Sequence, residues 1–143
     1  MNVELLQISF NVEPTAEPLT VSVLLDNETV WQQIVDKKST VKFSFPDDTS
    51  EHEIVLRLHD KTSGHTKVDE EGNILQDSLI AFSNFVVDDI DISQTFIEKS
   101  TYYHNFNGNG AATIDEFFGI MGCNGAVIFK FSTPFYLWLL ENM

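Results

Sequence analysis

The chain has 143 residues, of which 22 are acidic and 8 are basic, for a formal net charge of −14. This length suits a single domain, residues 1–143, that buries its own core. The charge argues against nucleic-acid binding, which relies on Lys and Arg to displace counterions from phosphates. The single cysteine, Cys123, excludes an intrachain disulfide and a cysteine-based zinc site. No apolar run approaches the roughly 20 residues of a membrane-spanning helix, so we expect no membrane partner.

Alternating apolar and polar residues predict strands in the first half of the chain. Residues 19–25 and 40–45 alternate with a period of two, as half-buried strands do. Turn signals recur about every ten residues, which favours antiparallel pairing. The predicted fold class is all-β, an antiparallel, jelly-roll-like β-sandwich with one or two short helices near the C-terminus. The strands predicted in this half are residues 1–10, at a sheet edge, 19–25, 29–35, 40–45 and 54–59.

A long acidic loop, residues 60–77, follows these strands. Ordered loops of this length in compact domains are commonly functional. Beyond it, the inward-facing apolar positions change from even to odd numbers after Phe82 and back to even numbers after Val87. A slip of one residue sends every later side chain to the opposite face, so we expect bulges or bends near residues 83–84 and 88–89.

The C-terminal third contains both strand and helix signals. Residues 94–99 are interpreted as a short strand, and residues 107–110 as a glycine-containing turn. Thr113 and Glu116 match a capping box, which predicts a helix of one or two turns ending near residue 120.

The last twenty residues contain a strand and a strongly apolar segment. Residues 127–131 alternate as a final strand. Thr133 and Pro134 match a helix start, with threonine as the cap and proline at the first position. They predict a terminal helix over residues 135–140, with a buried final strand as the alternative.

Three segments resemble a known family. They are His-Glu-Ile-Val-Leu-Arg-Leu at residues 52–58, Asp-Ser-Leu at 77–79 and Phe-Val-Val-Asp-Asp-Ile at 85–90. Together they resemble the calcium-dependent xylan-binding modules of enzymes that degrade plant polysaccharides. The resemblance implies a β-sandwich in which a loop calcium coordinates sugar hydroxyls, with Asp77 and Asp88 at the matching acidic positions.

The C-terminal part carries a second resemblance. Gly-Cys-Asn-Gly at residues 122–125, Phe-Lys-Phe-Ser-Thr-Pro at 129–134 and Tyr-Leu-Trp-Leu-Leu-Glu-Asn at 136–142 are similar to the ending of small proteins of marine tailed phages. That family brings no established activity. It implies a location in the virion or the host cytoplasm, and it accounts for a chain start without a secretory signal.

We interpret the sequence as that of a non-catalytic carbohydrate-binding module, with calcium as the candidate cofactor and a glycan as the partner. Hard cations take oxygen ligands, and flat aromatic rings cover the apolar faces of sugars. Neither a Gly-x-Ser-x-Gly elbow nor a His-Glu-x-x-His motif is present, so we expect no enzyme. The candidate calcium ligands are Asp69, Asp77, Asp88 and Asp89. The candidate sugar contacts are Trp31, Tyr102, Tyr103 and His104.

Two alternatives stay open at this point. The acidic residues of the long loop are also explained by simple solvation of a surface loop. The alternative function is a phage structural or assembly protein whose partner is a virion protein. That function predicts an exposed apolar patch, which could include residues 135–140.

Overall fold

The computed structural model describes residues 4–108 and 110–143. Residues 1–3 of the predicted first strand and Asn109 of the predicted turn lie outside this range. The strands in chain order are β1 Leu5–Pro14, β2 Leu19–Leu25, β3 Glu28–Val35, β4 Ser39–Pro46, β5 Glu51–His59, β6 Thr66–Val68, β7 Ile74–Asp77, β8 Ile80–Val87, β9 Ile90–Asp91, β10 Ser100–His104, β11 Thr113–Glu116, β12 Ile120–Met121 and β13 Gly125–Ser132. The helices are a single 3-10 turn at Ser63–His65, α1 at Ser93–Lys99 and α2 at Phe135–Asn142.

Two antiparallel sheets form the sandwich predicted from the alternation of the strands. One has the order β12-β8-β1-β4, with β9 added to β8, and the other has the order β11-β10-β13-β5-β2-β3. The small β6–β7 hairpin stands apart from both sheets. Strand β1 lies between β8 and β4, so its predicted edge position was wrong. Its residues Leu6, Ile8, Phe10 and Val12 are all buried, as an interior strand requires.

A column of stacked phenylalanines links the two sheets. Phe85 of β8 stacks on Phe96 of α1 with 3.9 Å between ring centroids, and Phe96 stacks on Phe129 of β13 at 4.3 Å. Phe10 of β1 extends the column, stacking on Phe85 at 5.0 Å. Each such pair adds about 0.5–1.5 kcal/mol beyond the burial of its surface. Helix α1 is therefore part of the core between the sheets.

The two predicted phase breaks are confirmed as a bulge and a turn. Asn84 has a φ of 60°, and the pairing of β8 with β1 shifts register there. At the bulge, the main chain of Phe85 forms hydrogen bonds outside the β8–β1 ladder. Its amide donates to Ser93 Oγ at 2.9 Å, and its carbonyl accepts from the Ile92 amide at 2.8 Å. Asp88 and Asp89, with φ of 43° and 72°, turn the chain from β8 into β9.

The strand predicted over residues 94–99 was wrong, because this segment is helix α1. Thr95 and Phe96 are adjacent and both buried, which the alternation of a half-buried strand does not give. Ile92 and Ser100, also buried, each lie four residues from Phe96, as on one face of a helix. The Asp91 carboxylate accepts the Ser93 amide at 2.8 Å at the helix start.

The helix predicted from Thr113 and Glu116 was also wrong, because these residues begin and end strand β11. Four residues of β11 pair with β10, from Thr101 with Glu116 to His104 with Thr113. A helix of one or two turns is marginal in water, so the longer-range ladder with β10 determines the structure here.

The predicted C-terminal helix is confirmed as α2, but its cap differs. Thr133 is buried, and its hydroxyl accepts the Ser50 amide at 3.0 Å instead of capping the helix. The cap comes from another loop, because Asp47 Oδ1 accepts the Phe135 amide at 2.9 Å. Within the described residues, neither α1 nor α2 is long and apolar enough to cross a membrane.

Candidate functional site

A groove lies on the outer side of strands β10, β11 and β13, at one edge of the six-stranded sheet. Its volume is about 460 Å³. Tyr103 and Ile114 face each other across the β10–β11 ladder, and 41% of Tyr103 and 67% of Ile114 are exposed. An exposed aromatic ring with an apolar neighbour thus forms part of the groove. The other lining residues are His104, Asn105, Ala112, Thr113, Asn124 and Gly125.

His104 is held in place by three neighbouring residues. Its Nε2 lies 2.5 Å from Asp115 Oδ2, and its Nδ1 accepts the Phe106 amide at 3.3 Å. Its ring centroid is 4.7 Å from those of Tyr102 and Phe106. Only 5% of the side chain is exposed. His104 therefore ties β10 to β11 and fixes the wall of the groove.

Tyr102 faces the opposite way from Tyr103 and is buried. Its hydroxyl donates to the Cys123 carbonyl and accepts the Cys123 amide. Burial raises the pKa of Tyr102 to about 12. The structure therefore places this predicted sugar contact in the core, where it anchors the turn before β13.

Trp31 lies on β3, at the far edge of the same sheet. Four strand spacings of about 4.8 Å separate β3 from β10, so Trp31 is roughly 19 Å from the groove of Tyr103. Trp31 is half-buried and packs against the core, while Ile34 on the other face of β3 is 68% exposed. Trp31 and Tyr103 do not belong to one site.

The four candidate calcium ligands also lie apart. Asp77 precedes β8 and Asp88 follows it, so the eight residues of β8, roughly 27 Å of extended chain, separate them. Asp88 Oδ1 accepts the Gln7 amide at 2.9 Å beside the turn that Asp89 completes. Over residues 4–108 and 110–143, no three His, Cys, Asp or Glu side chains come together in a way that could hold a metal ion.

Asp69 closes the turn of the β6–β7 hairpin. Its Oδ1 accepts the amides of Glu71 and Asn73, both at 2.9 Å, and its Oδ2 accepts the Asn73 side-chain amide at 3.2 Å. The hydrogen bonds of Asn73 lower the pKa of Asp69. These bonds use both carboxylate oxygens inside the hairpin, so Asp69 stabilises a turn.

Asp77 lies at the opposite end of the hairpin and is paired with a buried lysine. Its Oδ1 accepts Lys61 Nζ at 2.8 Å and Thr66 Oγ1 at 2.7 Å. Burial acts to raise the pKa of Asp77, but the hydrogen bonds from Lys61 and Thr66 and the lysine charge lower it below its usual value. A divalent cation at this oxygen would have to displace the Lys61 ammonium, so the residues present do not fit a calcium ion here.

The other end of the sandwich holds a polar cluster that the sequence did not predict. The buried imidazole of His52 lies between two carboxylates, with Nδ1 2.6 Å from Asp26 Oδ2 and Nε2 2.8 Å from Asp48 Oδ1. Ser50 Oγ is 3.1 Å from the same Nε2. The cluster joins the β2–β3 turn, the β4–β5 loop and β5. It borders a pocket of about 570 Å³ that Glu51, Glu53, Lys130 and Trp138 also line.

Protonation of His52 determines what this cluster can do. Burial acts to lower the pKa of His52, but the hydrogen bonds and charges of Asp26 and Asp48 raise it above its ordinary value. Hydrogen bonds from Ser50 and His52 lower the pKa of Asp48 to about 2. The two carboxylates therefore favour the protonated, positively charged form of the His52 imidazole.

The contacts from Ser50 to His52 and from His52 to Asp26 resemble those of a catalytic triad, but the hydrogen bonding differs. In a triad the imidazole accepts the serine proton, whereas here Nε2 is occupied by Asp48. The Ser50 hydroxyl itself donates to Asp48 Oδ1 at 2.5 Å. The Ser50 amide donates to Thr133 Oγ1 and is not directed at a substrate oxygen. The cluster is an ionic link between loops.

One sequence signal could have located the cluster. Asp48, Ser50 and His52 are spaced two residues apart just before the predicted strand of residues 54–59, so an extended backbone there would place the three side chains on one face. Asp26 could not be found in this way, because it lies 26 residues away and meets His52 only through the pairing of β2 with β5.

Two solved structures share this fold. One is vCBM60 in complex with galactobiose, with a TM-score of 0.53 at 13% identity over 86% of this chain and 96% of that chain. The other is the selenomethionine form of vCBM60, with a TM-score of 0.55 at 13% identity over 87% of this chain and 89% of that chain. This second structure is reported with a circular permutation as the evolutionary link between two families of calcium-dependent carbohydrate binding modules.

At 13% identity this likeness shows the fold alone, the β-sandwich that this chain shares with vCBM60. It supports the first resemblance seen in the sequence. The comparisons give no support to a phage or marine origin. No protein-family model matches the sequence, and no curated protein matches it significantly.

Proposed function

We propose that this protein is a non-catalytic carbohydrate-binding module whose glycan lies in the groove of Tyr103. The observation that carries the proposal is the exposed Tyr103 ring beside Ile114, in a groove that also contains the polar residues Asn105 and Thr113. An aromatic face covers the apolar face of a pyranose, and polar groups at the rim bond its hydroxyls. The shared fold with vCBM60, solved with galactobiose, supports this class of ligand.

The four predicted sugar contacts take different roles in this proposal. Tyr103 contacts the sugar, and His104 holds the wall beside it. Tyr102 anchors the adjoining turn from inside the core through Cys123. Trp31 lies at the far edge of the sheet and has no part in this groove.

Calcium assistance, which the first resemblance implies, is a separate part of the proposal. The selenomethionine structure of vCBM60 is described in connection with two families of calcium-dependent carbohydrate binding modules. In this chain the described residues bring no three predicted ligands together. We therefore propose a groove that binds glycan through its own side chains, and the test includes a chelator.

Amide chemical-shift mapping by NMR tests whether a glycan binds and also locates the binding site. Galactobiose and xylo-oligosaccharides are titrated separately into labelled protein, with and without EDTA. We expect one class of sugar to shift the amides of Tyr103, Thr113 and Ile114 in both conditions. Shifts centred on the pocket of Glu51, Lys130 and Trp138, or no shifts with either sugar, would contradict the proposed groove.

One observation favours the alternative of an assembly protein. Helix α2 exposes apolar side chains, with 54% of Leu137 and 73% of Leu140 accessible. Such a surface can bury itself against another protein. Light scattering after gel filtration tests this: an oligomer that Leu137→Ser and Leu140→Ser return to monomer favours assembly, and a monomer at high concentration argues against it.

A further inference from the structure

Lys61 is a buried lysine at the end of the sandwich that holds the groove. Only 3% of its side chain is exposed. Its backbone is clamped at two points by Asn124: the Lys61 amide donates to Asn124 Oδ1, and Asn124 Nδ2 donates to the Lys61 carbonyl, both at 2.8 Å. Lysine is rarely buried unless its ammonium is paired. The clamp and the burial together show that the lysine has a defined position in the fold.

The Lys61 ammonium lies among oxygen atoms of the kind that bind a hard cation. Nζ donates to Asp77 Oδ1 at 2.8 Å and to the Gly122 carbonyl at 2.5 Å. A carboxylate and a main-chain carbonyl are common calcium ligands. Here both are directed at one ammonium, which links the segment after β5 to β7 and to the turn before β13.

We propose that the Lys61 ammonium is the resident cation of this site, in place of a metal ion, so that neither this end of the sandwich nor its groove depends on calcium at Asp77. A tethered ammonium supplies the positive charge that Asp77 and Gly122 require, and it cannot be removed by a chelator. The part of this inference that concerns the groove rests on the proposed function. The part that concerns the cation stands on the Lys61 contacts alone.

The groove is connected to this cation site through Asn124. This residue clamps Lys61, and it also lines the groove of Tyr103. The main-chain amide of Asn124 also donates to Asn107 Oδ1, at 2.7 Å. Loss of the ammonium should therefore loosen one wall of the groove as well as the loop after β5.

Thermal unfolding of chelator-treated protein tests the cation site without any glycan. We expect the midpoint of the wild type to change by less than 1 °C on adding millimolar calcium or EDTA. We expect Lys61→Ala to lower the midpoint by several degrees, since the partly buried Asp77 carboxylate then loses its ion pair and the fold loses a packed side chain. Propylammonium, which replaces the missing side-chain atoms, should restore part of the loss, whereas propanol and equal sodium chloride should not.

Matched variants keep the test decisive. Lys67→Ala removes an exposed lysine that pairs with Glu17 at 3.2 Å, and it should leave the midpoint unchanged. If Lys61→Ala does not fold, the metal content of purified wild type and its calcium response still decide the question. A calcium-specific rise of several degrees in the wild type that Asp77→Asn abolishes would overturn the proposal. Failure of every glycan to bind would contradict the proposed function and leave this result unaffected.

Discussion

Phe96 of α1 stacks on Phe85 of β8 with 3.9 Å between ring centroids and 12° between ring planes. With the stacking of Phe96 on Phe129, the contact places α1 between the two sheets. It also depends on the bulge at Asn84, which lets the Phe85 main chain bond Ile92 and Ser93. A helix of only seven residues is thus held by core packing and by the strand next to it.

Shortening Phe96 should destabilise the whole domain. Phe96→Ala removes a fully buried ring from the middle of the aromatic column, and we expect a loss of about 3–5 kcal/mol in the free energy of unfolding. Denaturant unfolding measures it. Phe118→Ala is the control, because Phe118 is 75% exposed, and it should change the free energy by less than about 0.5 kcal/mol. Equal effects of the two variants would argue against the packing described for α1.

The His52 cluster predicts a defined pH dependence of stability. The pKa of His52 is raised in the folded protein, so its contribution is fully present below about pH 6.5 and is lost as the pH rises through the raised value. The pKa of Asp48 is lowered to about 2, so its contribution is present above its ordinary value of 3.8 and is lost as the pH falls towards 2. The cluster should therefore stabilise the fold most between about pH 4 and 6.5.

Melting midpoints from pH 3 to 9 test this for the wild type and for His52→Asn. The difference between the two should be largest between pH 4 and 6.5 and should shrink above that range. His65→Asn, which changes a histidine of the 3-10 turn, is the control and should keep the wild-type profile. A difference between wild type and His52→Asn that does not vary with pH would show that His52 acts by packing and not by charge.

Asp47 should prove to be the cap of α2. Its Oδ1 accepts the Phe135 amide at 2.9 Å across the sandwich. Asp47→Ala should cost about 1 kcal/mol of stability, as the loss of a helix cap typically does. Asp36→Ala, at another exposed turn, serves as the control in the same denaturant unfolding. If Thr133→Val proves costly and Asp47→Ala does not, the cap assignment is wrong.

Gly125 should be intolerant of any side chain. A Cβ at this position would lie 2.2 Å from the Tyr103 carbonyl, in the ladder between β13 and β10. Gly125→Ala should therefore cost about 1–3 kcal/mol of stability and distort the groove. At Gly64 a Cβ would meet only Thr62 Oγ1, at 3.5 Å, so Gly64→Ala is the matched control. Comparable stability of the two variants by thermal unfolding would contradict the close approach.

The sequence predicted the strands well because alternation reports burial directly. Val41 and Phe45 are buried on one face of β4, and the parity change after Phe82 marks the bulge at Asn84. Alternation says nothing about strand order, so the interior position of β1 was missed. It also misled at residues 94–99, where the adjacent Thr95 and Phe96 are both buried, as on one face of a helix.

Sites formed by side chains distant in the chain were predicted less well. A capping box is worth about 1 kcal/mol, so it could not override the pairing of β11 with β10. In so acidic a chain, carboxylates are found in many loops, and the sequence cannot show which of them gather. It pointed to Asp77 but not to its partner, because the Lys61 contact depends on how the loop after β5 folds against β7.

The binding affinity of Tyr103→Ala tests the central claim most directly. Isothermal titration calorimetry compares it with the wild type and with Tyr136→Ala, which removes a partly exposed tyrosine of α2, far from the groove. With the sugar that the NMR titration selects, loss of the Tyr103 ring should weaken binding at least about tenfold, equivalent to about 1.4 kcal/mol. Tyr136→Ala should bind within about twofold of the wild type by the same scale. Unchanged affinity in Tyr103→Ala, with the fold intact by circular dichroism, would contradict a glycan site in this groove.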